Sequence, residues 1–271
     1  MTHAQAIQAI VARELATVVR TRSYWVLLLG TAVAIFGLAL AGGGPEAGYL
    51  PTAVDLRLPM ELLVPALAVA LGYPTIVADA RRGELDVFDT YPLPSWGYVF
   101  GVYLGRALAM AAFLVIPLTI LAGYVATTAE TDAALIATHQ GADSIALFAR
   151  FAVLTLLFGF AILAVVLAAS ALAWSRRSAV VLAVLVFGGV VLGLDLFVLR
   201  GFGGELVGTD SLTGALALSP TSAYRGLLFE SVLSSAIETD QQYAAPIASV
   251  VGLLCWTILS LGVTTVAVTR R

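Results

Sequence analysis

The chain has 271 residues, of which 60% are hydrophobic and only 11% charged, with a mean hydropathy of +0.98. A soluble domain carries about 25% charged residues to cover its surface, so a fully water-soluble globule is excluded and lipid must be the main solvent. The net charge is −3 and all fourteen basic residues are Arg, a balance without the basic, aromatic-interleaved patches of nucleic-acid binding.

The absence of Lys fits a high-GC genome or a halophile, and the acidic loops lean towards the latter. Cys255 is the sole cysteine, so no disulfide framework forms within one chain. The N-terminal segment does not read as a secretory signal: Glu14 interrupts it, and the apolar run after Arg22 is long and lacks a small-residue cleavage site.

Residues 4–22 read as an interfacial helix. At 100° per residue Ile7, Ile10, Val11, Leu15, Val18 and Val19 fall on one arc, suited to burial in the headgroup boundary. Glu14 breaks the pattern near the middle of that arc. Either it bends towards the headgroups or a nearby Arg, or it forms a buried pair with Arg81, Arg82 or Arg176 that fixes the helix to a bundle.

Six spans follow, since about 20 apolar residues cross the hydrocarbon core and only helices satisfy their own backbone there. We place them near 23–43, 60–78, 100–127, 148–174, 178–199 and 246–268. With the N-terminus inside, the inner segments hold Arg13, Arg20, Arg22, Arg81, Arg82, Arg106, Arg176, Arg177, Arg270 and Arg271. The outer ones hold Arg57, Arg150, Arg200 and Arg225. This excess puts both termini in the cytoplasm of a plasma-membrane protein. Tyr24, Trp25, Trp96, Tyr98 and Trp174 then lie near the inner interface, where amphipathic rings are favoured.

Between spans one and two, the Gly- and Pro-rich stretch from Gly42 to Pro59 reads as an outer turn region. Pro65, Pro74 and Pro117 are sites of kinking or of ordinary packing. The loop between spans three and four is acidic, and its His139 has no partner at metal-ligand spacing. Span five contains Gly189 and Gly193 in a small-xxx-small pattern that permits close helix approach. Asp195, near its outer end, is either a pathway residue or an interfacial acid paired with Arg200 or a loop N–H. Ser219–Glu238 has apolar residues at helical spacing and reads as an outer amphipathic helix, on the lipid surface or capping a pathway exit.

The main break in hydrophobicity runs from Asp79 to Arg106 and holds three arginines and four acidic residues. Leu85, Phe88 and Tyr91 recur at helical spacing, Pro92 ends the helix, and Glu84, Asp86 and Asp89 rim it with charge. A short cytoplasmic helix with an apolar face is suited to another protein. No GxxxxGK[ST] phosphate loop is present, nor HExxH, CxxC or GxSxG, so coupling to ATP requires another chain.

Several of these segments together resemble the permeases of ABC type 2 transporters. Arg13-Glu14-Leu15 with Arg20-Thr21-Arg22 is similar to that family's entry helix and elbow. The signature stretch follows as Asp79, Gly83-Glu84-Leu85, Pro92-Leu93-Pro94-Ser95, Gly101 and Gly105. Ser219-Pro220-Thr221-Ser222-Ala223-Tyr224-Arg225 is similar to a segment before the last span that is familiar from the nitrous-oxide-reductase maturation, copper-processing branch. Trp96 and Val102 stand where the family often has Arg and Lys.

The resemblance implies an all-α membrane domain of six transmembrane helices, with a cytoplasmic coupling helix between spans two and three. It further implies a homodimer or pseudo-symmetric dimer served by separate cytoplasmic ABC ATPase subunits. ATP would be used by that partner, and this chain would bind no cofactor and catalyse no reaction. Gly83, Glu84, Leu85, Phe88, Tyr91, Pro92 and Pro94 would engage the ATPase. A self-contained secondary transporter and an intramembrane enzyme using Asp195 or Glu61 are the alternatives.

Overall fold

The computed structural model describes residues 2–84, 94–129, 143–193, 219–233 and 245–270. These residues are helical, in the order α1 His3–Arg20, α2 Arg22–Gly42, α3 Gly44–Ala47, α4 Tyr49–Gly72, α5 Thr75–Arg81, α6 Ser95–Thr128, α7 Ile145–Leu172, α8 Arg176–Gly188, α9 Pro220–Leu228 and α10 Pro246–Thr269. Single π-turns extend α8 through Gly189–Gly193 and α9 through Phe229–Leu233.

Five stretches among the described residues are long and apolar enough to cross a membrane: Arg22–Gly42, Tyr49–Arg81, Ser95–Thr128, Ile145–Leu172 and Pro246–Thr269. The expected fifth span, near 178–199, begins as α8, and its residues after Gly193 lie outside the described residues. Asp195 and His139 also fall outside them.

Contacts fix which helix ends lie together. At the end carrying α1, this helix packs on α6, and Ser170 of α7 meets α5. At the far end, Thr128 donates to the Pro45 carbonyl and Asp143 accepts from the N–H groups of Tyr49 and Leu50. The core is central, with α7 contacting α4, α6 and α10. Phe158, Ala161, Ile162, Leu163 and Leu167 of α7 are fully buried.

The stretch expected as an outer turn is instead mostly helical. Gly43 and Gly48 take left-handed or otherwise positive φ of 78° and 121°, which breaks the chain twice. Between them α3 makes one turn, and α4 starts at Tyr49, well before the expected 60. Asp55 and Arg57 therefore sit on a helix, and Asp143 caps its first turn from across the fold. Pro59 and Pro65 lie inside α4.

The second span is interrupted where Pro74 removes an N–H donor. Ser170 bridges the interruption: its hydroxyl donates to the Tyr73 carbonyl at 2.8 Å and accepts from the Val77 N–H at 3.2 Å. A neighbouring helix thus satisfies the freed backbone, as membrane interiors require. Among the described residues no buried side-chain nitrogen or oxygen lacks a hydrogen-bond partner.

The amphipathic helix expected over Ser219–Glu238 is present as α9 and its π-turn, but it is not on a surface. Pro220, Thr221, Ala223, Tyr224, Leu227 and Leu228 are buried. Tyr224 stacks on Phe158 near the middle of α7, with ring centroids 4.6 Å apart and planes 8° apart. The following π-turn rises to the level of Arg150, which donates to the Ser231 carbonyl. α9 thus fills the far half of the bundle. Its apolar face has helices to bury against, so it has no need of lipid.

Candidate functional site

At the end carrying α1, helices α1, α2, α5 and α6 converge on six charged side chains and two tyrosines. Their packing begins with glycine. Gly101 and Gly105, one helical turn apart on α6, face α1. A Cβ on Gly101 would lie 2.9 Å from Ile10 Cγ2, and one on Gly105 would lie 2.5 Å from Glu14 Cβ. The missing side chains let the α1 backbone settle against α6, which buries Ile10, Glu14 and Val18.

Glu14, in the middle of the apolar arc, is buried together with its partners. Its Oε2 accepts from Arg106 Nε at 2.8 Å and its Oε1 from Arg13 Nη2 at 2.7 Å. Arg106 also donates to the Tyr24 hydroxyl at 2.7 Å. The side chains of Glu14 and Arg106 are 4% and 5% exposed. A charge so buried survives only when paired and hydrogen-bonded. Of the partners expected for Glu14, Arg82 joins the network only through Asp79 and Arg13. Arg81 and Arg176 are exposed and, among the described residues, form no ion pair. The reason is geometric: α1 lies along α6, which brings Arg106 to Glu14.

Arg13 continues the network. Its Nη2 also donates to Asp79 Oδ2 at 2.7 Å, and its Nη1 donates to Glu84 Oε2 at 2.8 Å. Arg82 bridges the same two acids, donating from Nη2 to Asp79 Oδ1 and from Nε to Glu84 Oε1. Asp79 accepts a further bond from the Tyr98 hydroxyl at 2.8 Å. Arg13, Arg82 and Arg106 balance Glu14, Asp79 and Glu84. Exposure grows along the chain of contacts, from the buried Glu14–Arg106 pair to Glu84, whose side chain is 35% exposed, and Arg82 at 60%.

Burial by itself would lower the pKa of Arg13. The charges and hydrogen bonds of Asp79 and Glu14 outweigh it and raise the value. Arg82 behaves likewise, with Glu84 the main opposing partner and Asp79 the second. A raised cation pKa contributes stability below the unfolded value and loses it only above the folded one. Arginine already ionises above about 12, so Arg13 and Arg82 stay charged at any physiological pH.

Gly83 ends α5 in the left-handed region at φ 72°, which aims Glu84 back at Arg13. Pro94 precedes α6 and caps it in extended conformation. Leu85, Phe88, Tyr91 and Pro92, with Asp86 and Asp89, lie outside the described residues. Trp25, Trp96 and Trp174 are exposed at this end, whereas Tyr98 is 2% exposed and turns inward with Tyr24 to the cluster. Val102 is fully buried. The roles of Arg106, Asp79 and the tyrosines were not singled out from sequence. The available signal was the Gly101/Gly105 pair beside an Arg at the edge of an apolar run.

A second ion pair joins α9 to α4. Arg225 of α9 donates from Nε to Glu61 Oε1 at 3.0 Å and from Nη2 to Glu61 Oε2. Glu61 is thus engaged by a two-pronged partner, which is unlike a free carboxylate available for acid–base chemistry. Among the described residues no group of three or more His, Cys, Asp or Glu is placed to hold a metal ion.

No family model matches the chain. Among curated proteins it is 30% identical over 236 residues to the probable ABC transporter permease protein NosY of Pseudomonas aeruginosa, covering 81% of this chain and 80% of that one. The chain belongs to the ABC transporter permeases. A second relative, the probable ABC transporter permease protein NosY of Stutzerimonas stutzeri, is 29% identical over 218 residues, covering 75% of each chain. The permease therefore carries its charged cluster at the end of the bundle where the hydrophobicity is broken, between the helices that cross the membrane.

Proposed function

We propose that this permease is the membrane half of an ATP-driven export or processing transporter, with six spans, both termini in the cytoplasm, and energy supplied by a separate ATPase subunit. The segment from Gly83 to Ser95 is the coupling element, and the charged cluster is its mounting. Glu84 carries the argument: it opens that segment and is gripped by Arg13 and Arg82, while Arg13 also holds Asp79 and Glu14. A push on the segment is passed through Arg13 to α1, and through Glu14 and Arg106 to α6. The arginine asymmetry supports the cytoplasmic placement of this end.

The functional unit is a homodimer of the permease with two ATPase subunits, and this chain contributes no nucleotide site. Co-purification with the ATPase subunit tests the assembly. Charge reversal at Glu84 combined with Phe88→Asp is expected to abolish ATPase association and membrane-stimulated ATP hydrolysis. Unchanged binding and hydrolysis in that double variant would show that another part of the chain receives the push.

A further inference from the structure

The Glu61–Arg225 pair joins residues 164 positions apart and is part-buried. Glu61 lies about 18 Å along α4 from its start at Tyr49, by the 1.5 Å rise per residue. Its side chain is 8% exposed, whereas that of Arg225 is 42% exposed. Both of its oxygens are taken by the planar fork of Arg225, the strongest geometry available to a carboxylate. Removing Arg225 would strand the buried Glu61 carboxylate.

Arg225 belongs to α9, the short helix filling the far half of the bundle. Three further contacts hold α9. Tyr224 stacks on Phe158, and its hydroxyl shares a 2.9 Å hydrogen bond with Thr155. Thr221 donates to the Val190 carbonyl at 2.8 Å. Val190 lies in the π-turn that ends α8, and α9 itself passes into a π-turn at Phe229. Such turns break the regular i→i−4 ladder and often mark functional joints. α9 is therefore a nine-residue helix that passes into an irregular joint at Phe229, and among the described residues the Glu61–Arg225 pair is its ionic fastening to the bundle.

We propose that the Glu61–Arg225 pair is the latch of a gate: closed, it seats α9 as a plug in the far half of the permease, and a water-accessible route through that half opens only when the pair parts. Glu61 and Arg225 act as positioning residues through α9. The latch itself follows from the packing; its link to nucleotide rests on the ATP-driven reading.

The test uses the full chain with its ATPase partner in membranes. Cys255→Ser removes the native thiol, and Ala223→Cys, at a position 1% exposed in the closed seat, reports opening to a membrane-impermeant maleimide. The parent reporter is expected to be protected. Arg225→Gln should raise its labelling rate at least about tenfold, because a stranded buried carboxylate favours leaving the seat. The swap Glu61→Arg with Arg225→Glu should restore protection. If Arg225→Gln does not accumulate, Arg225→Lys, which keeps the charge and loses the fork, should label faster than the parent. Labelling that stays at the parent rate in these single variants, or a swap as open as Arg225→Gln, overturns the latch. Trapping the ATPase with nucleotide and vanadate should change labelling of the parent reporter. If the variants open while nucleotide has no effect, the latch stands and the coupling reading falls.

Discussion

A single Cβ tests how tightly α1 is seated. In Gly105→Ala the new methyl would stand 2.5 Å from Glu14 Cβ and 3.4 Å from the Val11 carbonyl oxygen, so α1 must shift and the Glu14–Arg106 bond must lengthen. Overpacking of this kind costs about 1–3 kcal/mol, and a lower midpoint of thermal unfolding in detergent should record it. Gly123→Ala on the same helix is the control: its Cβ meets nothing within 4 Å. There the change should be neutral or gain about 1 kcal/mol from helix propensity. Equal effects at the two positions would contradict the seating. Arg106→Met should be more damaging, about 3–5 kcal/mol, since it leaves Glu14 buried with Arg13 as its remaining cation. Adding Glu14→Gln should recover part of that loss, and failure to recover any of it would mean that the pairing is not the source of the cost.

The elements show how far the sequence could be read and where it misled. The apolar arc of α1 was legible because Ile7, Ile10, Val18 and their neighbours repeat at 3.6 residues. Its destination was less so, since the same arc suits lipid or a protein groove; Glu14 and the Gly101/Gly105 pair were the signals that favoured the groove. α4 was read as starting too late because Asp55, Arg57, Pro59 and Glu61 look unlike a membrane helix. The partner of Glu61 comes from a remote part of the chain and was invisible locally. Asp55 accepts from the Gly44 N–H at 3.0 Å, and Glu61 is met by Arg225. Asp143 accepts from the Tyr49 and Leu50 N–H groups at 2.8 and 2.7 Å, a helix cap supplied from the approach to α7. Asp143→Ala should therefore fray the start of α4, with a loss of about 0.5–2 kcal/mol. Faster amide exchange confined to residues near 49–52 would register it. Exchange spread evenly along α4 would argue that the cap is not what holds this end.

At the scale of the molecule, the two ion-pair systems divide the permease into a part that should move as one body and a part that should move against it. α1, the end of α5 and the start of α6 share the charged cluster, and α1 is in addition wedged against the two glycines of α6. Among the described residues α9 is fastened ionically by the Glu61–Arg225 pair, and it passes into a π-turn at Phe229. A covalent tie between α1 and α6 should then leave turnover intact, because those helices do not separate during the cycle. An ideal Cβ on Gly101 lies 3.0 Å from Ile10 Cβ, slightly closer than the about 3.5–4.5 Å of a relaxed disulfide, so a small outward adjustment would let a bond form. Ile10→Cys with Gly101→Cys in the Cys255→Ser background should cross-link on mild oxidation. ATP hydrolysis by the complex should be the same before and after oxidation, and again after reduction. If oxidation arrests hydrolysis and reduction restores it, α1 must slide on α6 during the cycle. The charged cluster would then be a moving joint, and the push on Glu84 would reach the spans by parting these helices instead of carrying them together.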